Sequence, residues 1–395
     1  MPAGVPQLED LASLKHRRVL LRADFNVPVR DGAITDDLRI VSALPTIQWL
    51  RDQDAAVVIC SHFGRPKGEP DPQYSLAPVA TRLGELLDVD VPLAPEVVGF
   101  TAADMQLSLR PGDVMMLENL RFHAGETAND PAFSVSLCEP VDVYVNDAFG
   151  ACHRAHASVV GPPCVLPSAA GRLLEREVEV LSAVLDAPKH PFVALLGGAK
   201  VSDKLGVIDA LLERCDTILV GGAMAFTFFL AQGHSVGDSL VELDRVEDCR
   251  RLLATGRVRT PVDIVIAQDM NETATTRIVG ASGIPDGWKG LDIGPESAAI
   301  FSDAIADARM VLWNGPMGVF EMAPFASGTQ AVAQAVADCH GFTIIGGGDS
   351  AAAVRQFGLA AEIDHVSTGG GASLELIEHG DLPGLAALRK GMTPI

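Results

Sequence analysis

Arginine, histidine and amide side chains recur directly after short apolar runs in the first half of the sequence. Guanidinium groups bind carboxylates and phosphates through paired N–H donors, so several of them at one place predict a site for a small anionic acid. Arg22, Asp24 and Asn26 are two residues apart and would face the same way in an extended chain. The stretches concerned are RADFN at 22–26, SHFGR at 61–65, ENLRFH at 118–123 and NDAFGACHRAH at 146–156.

Glycine clusters follow the apolar runs of the second half instead. Such turns let backbone N–H groups approach a ligand closely, and the positive end of a following helix favours phosphate. Lys200 and Lys204 are four residues apart, and we expect them on one face near a helix start, where an anion must offset their charge. This half therefore predicts a nucleotide site, with phosphoryl transfer between the halves and a linker that permits closure. The clusters are GGAKVSDK at 197–204, GGAM at 221–224, NGPMGVFE at 314–321, GGGDS at 346–350 and TGGG at 368–371.

Nine apolar runs alternate with segments of helical spacing, which predicts parallel α/β sheets buried on both faces. In such sheets ligands bind beyond the carboxyl ends of the strands, where the polar and glycine-rich stretches stand. A single eight-stranded α/β barrel is the structural alternative, disfavoured by the ninth run and by a break at mid-chain. The runs are 19–23, 55–60, 113–117, 141–145, 192–196, 217–220, 263–267, 310–313 and 342–345.

The break at mid-chain lies in the segment 166–191, where a charged helical pattern is closed by Pro188 and Pro191. A chain of 395 residues is also too long for one ordinary core. We expect an N-terminal domain at 1–170, a hinge helix and linker at 171–191, and a second domain at 192–379.

Composition excludes several classes of protein. The net charge of −21 opposes non-specific nucleic-acid binding. The seven cysteines form no C-x-x-C pair, which is typical of reduced thiols in the cytoplasm; a catalytic cysteine stays open, although buried packing is favoured. The first residues lack the layout of a signal peptide, and no apolar stretch is long enough for a membrane. A cytoplasmic protein is expected.

Long motifs in a fixed order resemble those of the phosphoglycerate kinase family, in a bacterial-type member. The resemblance runs from about residue 17 to the end of the chain. It implies two Rossmann-like domains with parallel sheets flanked by helices and joined by a hinge helix, with the tail 380–395 packing back on the first domain. The motifs are RADFNVP, DDLRI, SHFGRP, ENLRFH, NDAFGACHRAHAS, GGAKVSDK, NGPMGVFE, PFASGT and GGGDS.

The resemblance also implies the reaction and its ligands. ATP and 3-phosphoglycerate would be converted reversibly to ADP and 1,3-bisphosphoglycerate by a monomer that uses Mg²⁺. The acceptor carboxylate is ionised at neutral pH, so no general base is needed. Residues of the 3-phosphoglycerate site would be Asp24, Phe25, Asn26, Arg39, His62, Phe63, Gly64, Arg65, Arg121 and Arg154.

The remaining implied residues belong to the second half. Arg39, Lys200 and the helix start at Gly371 would stabilise the transferred group, and Asp349 would meet the metal. Glu321 would contact the ribose, although a glutamate there also suits a helix cap. The nucleotide-binding set is Lys204, Gly221, Gly222, Gly294, Glu321, Gly347, Gly348, Asp349 and Ser350.

Other functions require motifs that the sequence lacks. A nicotinamide-dependent dehydrogenase needs G-x-G-x-x-G after the first strand, and a P-loop enzyme needs G-x-x-x-x-G-K-[ST]. A protein kinase needs H-R-D and D-F-G. A periplasmic-type binding protein is opposed by the missing signal peptide and the paired lysines. Cys152, inside GACHRAHAS, departs from the family pattern and raises the question of sensitivity to oxidation.

Overall fold

The computed structural model describes residues 4–30 and 32–391, and the chain divides into two compact units. Unit 1 runs to Val180 and resumes at His379, while unit 2 is Leu181–Glu378. The division falls inside the helix Arg172–Asp186. The domain limits given above and the role of this segment as a hinge stay predictions.

Up to that division, the described residues of unit 1 form seven strands and seven α-helices. The strands are β1 (Arg18–Arg22), β2 (Val29–Arg30), β3 (Ala33–Ile34), β4 (Ala56–Cys60), β5 (Val114–Met116), β6 (Val143–Asn146) and β7 (Ser168–Ala170). The helices are α1 (Leu38–Asp52), α2 (Ala77–Leu87), α3 (Phe100–Leu107), α4 (Ala124–Ala128), α5 (Pro131–Cys138), α6 (Ala157–Val160) and α7 (Arg172–Asp186).

The main sheet of unit 1 is parallel throughout, in the order β5-β4-β1-β6-β7. Its apolar strands are almost fully buried, as β-branched runs covered on both faces must be. Arg22 pairs in register with Cys60 on one side and with Asn146 on the other. The residues that follow these strands therefore emerge at one edge of the sheet.

Unit 2 contains the next eleven strands and seven helices. The strands are β8 (Phe192–Leu196), β9 (Thr217–Val220), β10 (Ser235–Val236), β11 (Val258–Arg259), β12 (Asp263–Ala267), β13 (Arg277–Gly280), β14 (Gly283–Ile284), β15 (Lys289–Ile293), β16 (Met310–Asn314), β17 (Phe342–Gly346) and β18 (His365–Val366). The helices are α8 (Leu205–Leu212), α9 (Met224–Ala231), α10 (Val246–Leu253), α11 (Pro295–Ala306), α12 (Ser327–Ala337), α13 (Gly348–Gln356) and α14 (Gly371–His379).

The main sheet of unit 2 is also parallel, in the order β11-β9-β8-β16-β17-β18. Leu196, Asn314 and Gly346 lie side by side at the ends of its three central strands. The predicted fold class, parallel sheets flanked by helices in each of two Rossmann-like parts, is confirmed.

One strand was expected in the wrong sheet. The run 263–267 forms β12, which lies in a three-stranded antiparallel sheet between β13 and β15. A short buried apolar run does not reveal the direction of its neighbours. Its partner β13 is largely exposed and carries no buried pattern that would have predicted it.

The last described helix, α15 (Pro383–Gly391), returns to unit 1 and packs against α6 and β7. Leu385 and Leu388 are fully buried there. Residues 392–395 of the predicted tail lie outside the described residues. None of the described helices is long and apolar enough to cross a membrane.

Candidate active site

An ion pair between the buried Asp24 and the partly exposed Arg39 lies at the carboxyl edge of the unit 1 sheet. Asp24 follows β1, and its Oδ2 accepts a hydrogen bond from Nη1 of Arg39, on the first turn of α1, at 3.0 Å. The same Nη1 donates to the carbonyl of Asn26 at 3.3 Å. Burial alone would raise the pKa of Asp24, but neighbouring positive charge, led by Arg39, lowers it. Asp24 therefore stays ionised and holds Arg39 at the edge.

His62 lies beside this pair and is itself buried. Its Nδ1 is 3.8 Å from Oδ1 of Asp24 and 3.2 Å from Nη2 of Arg22. Burial lowers the pKa of His62 to about 3, with contributions from the nearby arginines. At neutral pH this imidazole is uncharged.

The backbone of the loop after β4 is joined to side chains at the neighbouring strand ends by hydrogen bonds. Gly64 donates its N–H to Oδ1 of Asn26 at 2.9 Å, and its carbonyl accepts from Nη1 of Arg121 at 2.7 Å. The buried Nε of Arg121 has no hydrogen-bond partner among the described residues. Burial, reinforced by Arg22, lowers the pKa of Arg121. A buried guanidinium N–H without a protein partner is suited to an anion.

The other predicted residues of unit 1 divide into two groups. Arg65 and Arg154 are exposed, and among the described residues their guanidinium groups have no hydrogen-bond or salt-bridge partner. Phe25 and Phe63 were expected in the site, but both rings are packed in the hydrophobic core. Alternation along the extended chain turns these side chains inward, so only their backbone stands at the edge.

Sequence reasoning left two buried polar residues, Ser158 and Glu126, out of this site and misjudged the environment of a third, Arg22. Arg22 was expected to face the same way as Asp24, yet it is fully buried, and its Nε donates to Oγ of Ser158 at 2.9 Å. Oγ of Ser158 donates in turn to Oε1 of the buried Glu126 at 2.7 Å. A buried charge needs such partners, but partners 32 or 136 residues away leave no local signal.

In unit 2 the glycine turns pack directly against one another. The N–H of Gly222 donates to the carbonyl of Met317 at 2.9 Å, and the N–H of Met224 to the carbonyl of Gly198 at 3.0 Å. Gly222 has a φ of +64°, and a Cβ there would lie 2.7 Å from the Gly198 carbonyl oxygen. Only glycine permits this approach of three chain segments.

Lys204 is the buried cation of this edge. Its Nζ donates to Oδ1 of Asn314, which the motif at 314–321 contains but which was not singled out. Burial lowers the pKa of Lys204 to about 8, opposed by the carboxylates of Asp203 and Asp349. Nδ2 of Asn314 is buried and has no partner among the residues that the structure describes.

The expected helical pair of lysines is wrong. Helix α8 begins at Leu205, so Lys204 precedes its first turn and Lys200 lies in the loop after β8. The two lysines also differ in environment, since Lys200 is exposed. The glycines at 197 and 198 keep the chain in a turn beyond the point where the spacing suggested a helix.

Two helices present their first turns near this edge. Gly347 precedes α13, Gly348 and Asp349 begin it, and both of these are exposed. Gly371 is the exposed first residue of α14. Ser350 was expected at the phosphates, but its side chain is fully buried and its Oγ accepts the N–H of Gly315 at 2.6 Å. The hydroxyl of Ser350 therefore holds the turn after β16 through this hydrogen bond.

A cavity of about 560 Å³ opens beside the glycine turns. Of the predicted residues, Gly222, Glu321 and Asp349 line it. Gly221 is buried against Met317, and Gly294 precedes α11 where a Cβ would meet the carboxylate of Asp263. The missing Cβ of Gly294 leaves room for the carboxylate of Asp263, and its expected place in the nucleoside pocket stays a prediction. Apolar lining residues that stand outside every motif are Phe226, Leu240, Ile264 and Met270.

Metal ligands are few in this region. Among residues 4–30 and 32–391, no cluster of three or more His, Cys, Asp or Glu side chains could hold an ion. Asp349 is exposed and lines the cavity. Magnesium commonly binds through one or two carboxylates together with substrate phosphates, so this residue fits an ion that arrives with a nucleotide.

The two edges thus have different chemistry. In unit 1, guanidinium groups surround an ionised carboxylate and a neutral imidazole. In unit 2, glycine turns, two helix starts and a buried lysine lie beside a largely apolar cavity. The first arrangement suits a small polyanion, and the second suits a nucleotide whose base is apolar and whose phosphates are charged.

Comparison with known proteins agrees with this division. A family model described as phosphoglycerate kinase matches residues 8–380. The phosphoglycerate kinase of Coxiella burnetii is 38% identical, with a TM-score of 0.86 over 98% of this chain and 99% of that one. The phosphoglycerate kinase of Pyrococcus horikoshii OT3 is 35% identical, with a TM-score of 0.87 over 98% of each chain. The chain belongs to the phosphoglycerate kinase family.

Proposed function

We propose that unit 1 binds 3-phosphoglycerate and that unit 2 binds the adenine nucleotide. As a member of its family the chain is a phosphotransferase that acts between ATP and 3-phosphoglycerate in glycolysis. The products are ADP and 1,3-bisphosphoglycerate. The assignment of individual residues and ligands to this reaction is our proposal.

The acid is assigned to the cationic edge of unit 1. His62, Arg65, Arg121 and Arg154 hold the substrate's own phosphate, while Arg39 faces the group that is transferred. Asp24 keeps Arg39 in place through the 3.0 Å ion pair, and the side-chain oxygen of Asn26 holds the Gly64 loop. Bidentate guanidinium contacts supply both charge and orientation.

The nucleotide is assigned to the cavity and glycine turns of unit 2. Its base and ribose occupy the apolar cavity with Gly222 and Glu321 in the wall. Its phosphates lie at Lys204 and at the start of α13, with Gly347 and Gly348. Mg²⁺ bound through Asp349 would neutralise phosphate charge. Lys200 and the start of α14 at Gly371 are assigned to the transferred phosphoryl group.

Catalysis in this proposal rests on positioning and charge. The attacking carboxylate is ionised at neutral pH, so no residue has to remove a proton. The neutral His62 can donate one hydrogen bond to an anion but does not act as a base. Phosphoryl transfer needs in-line placement of two anions and stabilisation of negative charge, which arginine, lysine and helix N-termini supply.

The buried, unpartnered Nε of Arg121 is the observation that carries the assignment of unit 1. Leaving a buried donor unsatisfied costs about 1–3 kcal/mol. An anion bound at the edge removes that cost. The pairing of Arg39 with Asp24 and the exposure of Arg65 and Arg154 support the same site.

Separate binding measurements on the two ligands test whether unit 1 binds 3-phosphoglycerate and unit 2 binds the nucleotide. We expect Arg121→Ala to weaken 3-phosphoglycerate binding by about tenfold or more, since it removes charge-assisted hydrogen bonds, and to leave MgADP binding unchanged. Lys204→Met should do the reverse. Calorimetric titration of each variant with each ligand gives the four affinities.

Arg110→Ala is the matched control for loss of one arginine. Arg110 is exposed and precedes β5, at the opposite end of the sheet from the site. A coupled assay with 3-phosphoglycerate, MgATP and a downstream dehydrogenase should find severe loss of turnover in Arg39→Ala and Lys200→Ala, but not in this control. Equal weakening of 3-phosphoglycerate and MgADP binding in both Arg121→Ala and Lys204→Met would contradict the assignment of the two ligands to separate units.

Two further features of the protein belong to the proposal. We place it in the cytoplasm, supported by its scattered cysteines, which form no paired motif. We also propose that it acts as a monomer, which analytical ultracentrifugation at assay concentrations would test.

A further inference from the structure

Behind the unit 1 edge, a buried chain of hydrogen bonds connects Glu126 to His62. It passes through Ser158, which lies on α6, and Arg22, which ends β1. Glu126, Ser158 and Arg22 are all fully buried. Their order in space fixes which atom of each group donates and which accepts.

Arg22 determines the role of one nitrogen of His62. Its Nη2 is 3.2 Å from Nδ1 of His62, and its Nε donates to Oγ of Ser158 at 2.9 Å. A guanidinium has no acceptor and keeps its protons at any pH a protein tolerates. Nδ1 of His62 must therefore offer a lone pair, which places the ring proton on Nε2.

Glu126 orients the hydroxyl of Ser158, which in turn holds Arg22 in place. A hydroxyl has a single proton, and in Ser158 it goes to Oε1 of Glu126 at 2.7 Å. The Oγ is then free to accept from Arg22. The backbone N–H of Ser158 donates to the other oxygen, Oε2, at 2.9 Å, which fixes the carboxylate in place.

Burial, reinforced by three neighbouring guanidinium groups, keeps the ring of His62 neutral. Arg22 and Asp24 approach from β1 and its end, Arg39 from α1, and Arg121 from the turn after β5. Burial and the three guanidinium groups lower the pKa of His62 to about 3, against the opposing carboxylate of Asp24. A neutral ring with Nδ1 as acceptor has one N–H left, on Nε2.

We infer that Glu126 and Ser158 are positioning residues that act through Arg22 to hold His62 in the Nε2–H tautomer. The ring then presents a hydrogen-bond donor, and not a lone pair, to an anion at the site. That the anion is the phosphate of 3-phosphoglycerate rests on the proposed function. Outer residues of this kind commonly change affinity or activity by about 10- to 100-fold when replaced.

The tautomer can be measured in the ligand-free full-length chain. Long-range proton–nitrogen correlation spectra of protein labelled with ¹⁵N in histidine distinguish a protonated ring nitrogen from an unprotonated one. The signals of His62 are identified by their loss in His62→Gln. We expect unprotonated Nδ1 and protonated Nε2 at about pH 7. An Nδ1–H tautomer or a charged ring would overturn the inference.

The variant Glu126→Gln tests whether Glu126 orients the hydroxyl proton of Ser158. It changes the hydrogen bonding of this side chain at nearly constant size. The amide can donate to Oγ of Ser158, which turns the hydroxyl proton toward Arg22 and breaks the chain. We expect mixed tautomers of His62 and a KM for 3-phosphoglycerate raised roughly tenfold, with kcat and the KM for MgATP within about twofold. Ser158→Ala should give the same pattern.

Glu85→Gln removes one carboxylate from an exposed ion pair with Arg82 and serves as the control. A single wild-type tautomer in both Glu126→Gln and Ser158→Ala would refute the inference, whatever the kinetics. If the enzyme used a different acid, the proposed function would fail, but the spectra need no substrate and would still decide this inference.

Discussion

Asp147 is the basis of a prediction that concerns stability. It follows β6 and is fully buried, and its Oδ1 accepts the N–H groups of Leu173 at 2.9 Å and Leu174 at 3.1 Å. The carboxylate therefore caps the first turn of α7 from a distant part of the chain. Burial raises the pKa of Asp147 from an ordinary 3.8 to about 6, although these N–H groups favour the charged form.

The raised pKa converts directly into a dependence of stability on pH. Between about pH 4 and pH 6 the folded chain keeps the proton that the unfolded chain has lost, so stability falls as pH rises through this window. A difference of about two pKa units corresponds to roughly 3 kcal/mol, fully lost above about pH 6. Asp147→Asn keeps an acceptor for the two N–H groups and removes the titration.

The measurement follows unfolding of unit 1 by tryptophan fluorescence. Trp49 is the only tryptophan of unit 1, so it reports on that unit once Trp288 and Trp313 are replaced by phenylalanine. We expect the free energy of unfolding of Asp147→Asn, relative to its parent, to rise by about 3 kcal/mol between about pH 4 and pH 7. A constant difference across this range would refute the assigned burial cost.

Three further predictions concern unit 2 and the cysteines. Because the pKa of Lys204 is lowered to about 8, MgADP affinity should fall several-fold between about pH 7.5 and 9 as the ammonium deprotonates; in Lys204→Met, calorimetry should find this dependence absent, and its persistence would contradict the role. Gly347→Ala forces a side chain into φ +96° and against Nδ2 of Asn314 at 2.9 Å, so thermal unfolding should report a loss of about 1–2 kcal/mol. Gly348→Ala, which meets no atom within 4 Å, should keep stability and lose nucleotide affinity; unchanged affinity would place the phosphates elsewhere. Cys164 is exposed, while Cys152 is buried with its pKa raised to about 12, so mass spectrometry should find Cys164 alkylated first and Cys152 only after unfolding, and early labelling of Cys152 would contradict its burial.

The sequence predicted that the polar groups lie at one edge of each sheet, because the carboxyl ends of parallel strands share an edge. Each of the nine apolar runs lies on a strand, and the pairing of Arg22 with both Cys60 and Asn146 brings the following residues together. Buried β-branched runs are a strong local signal. Convergence at the edge then follows from the topology alone.

Side-chain direction was less predictable than backbone position. Phe25, Phe63 and Ser350 stand in motifs at the edge, yet their side chains are buried. A motif indicates that a segment lies near the site. The local backbone geometry, strand or helix, determines which of its side chains point away from the site.

Local sequence patterns could not predict the apolar cavity or the buried chain of hydrogen bonds that connects Glu126 to His62. Ile264 reaches the cavity from a strand expected in a different sheet. Arg22 and Ser158 are separated by 136 residues. Neither apolar lining nor long-range hydrogen bonding has a periodic pattern, so a single sequence carries no signal for them.

The two edges should therefore respond to mutation in opposite ways. In unit 1 the groups that we propose to bind an anion are side chains, such as Arg39 and Arg121, so removing atoms should weaken the site. In unit 2 much of the grip is backbone, because a Cβ at Gly222 would collide with Gly198. Adding atoms to the glycine turns is therefore damaging there, although Lys200 and Lys204 are proposed to act through their side chains. We attribute this asymmetry to the proposed binding modes. Guanidinium groups bind a compact acid in unit 1, and backbone N–H groups bind extended phosphates in unit 2.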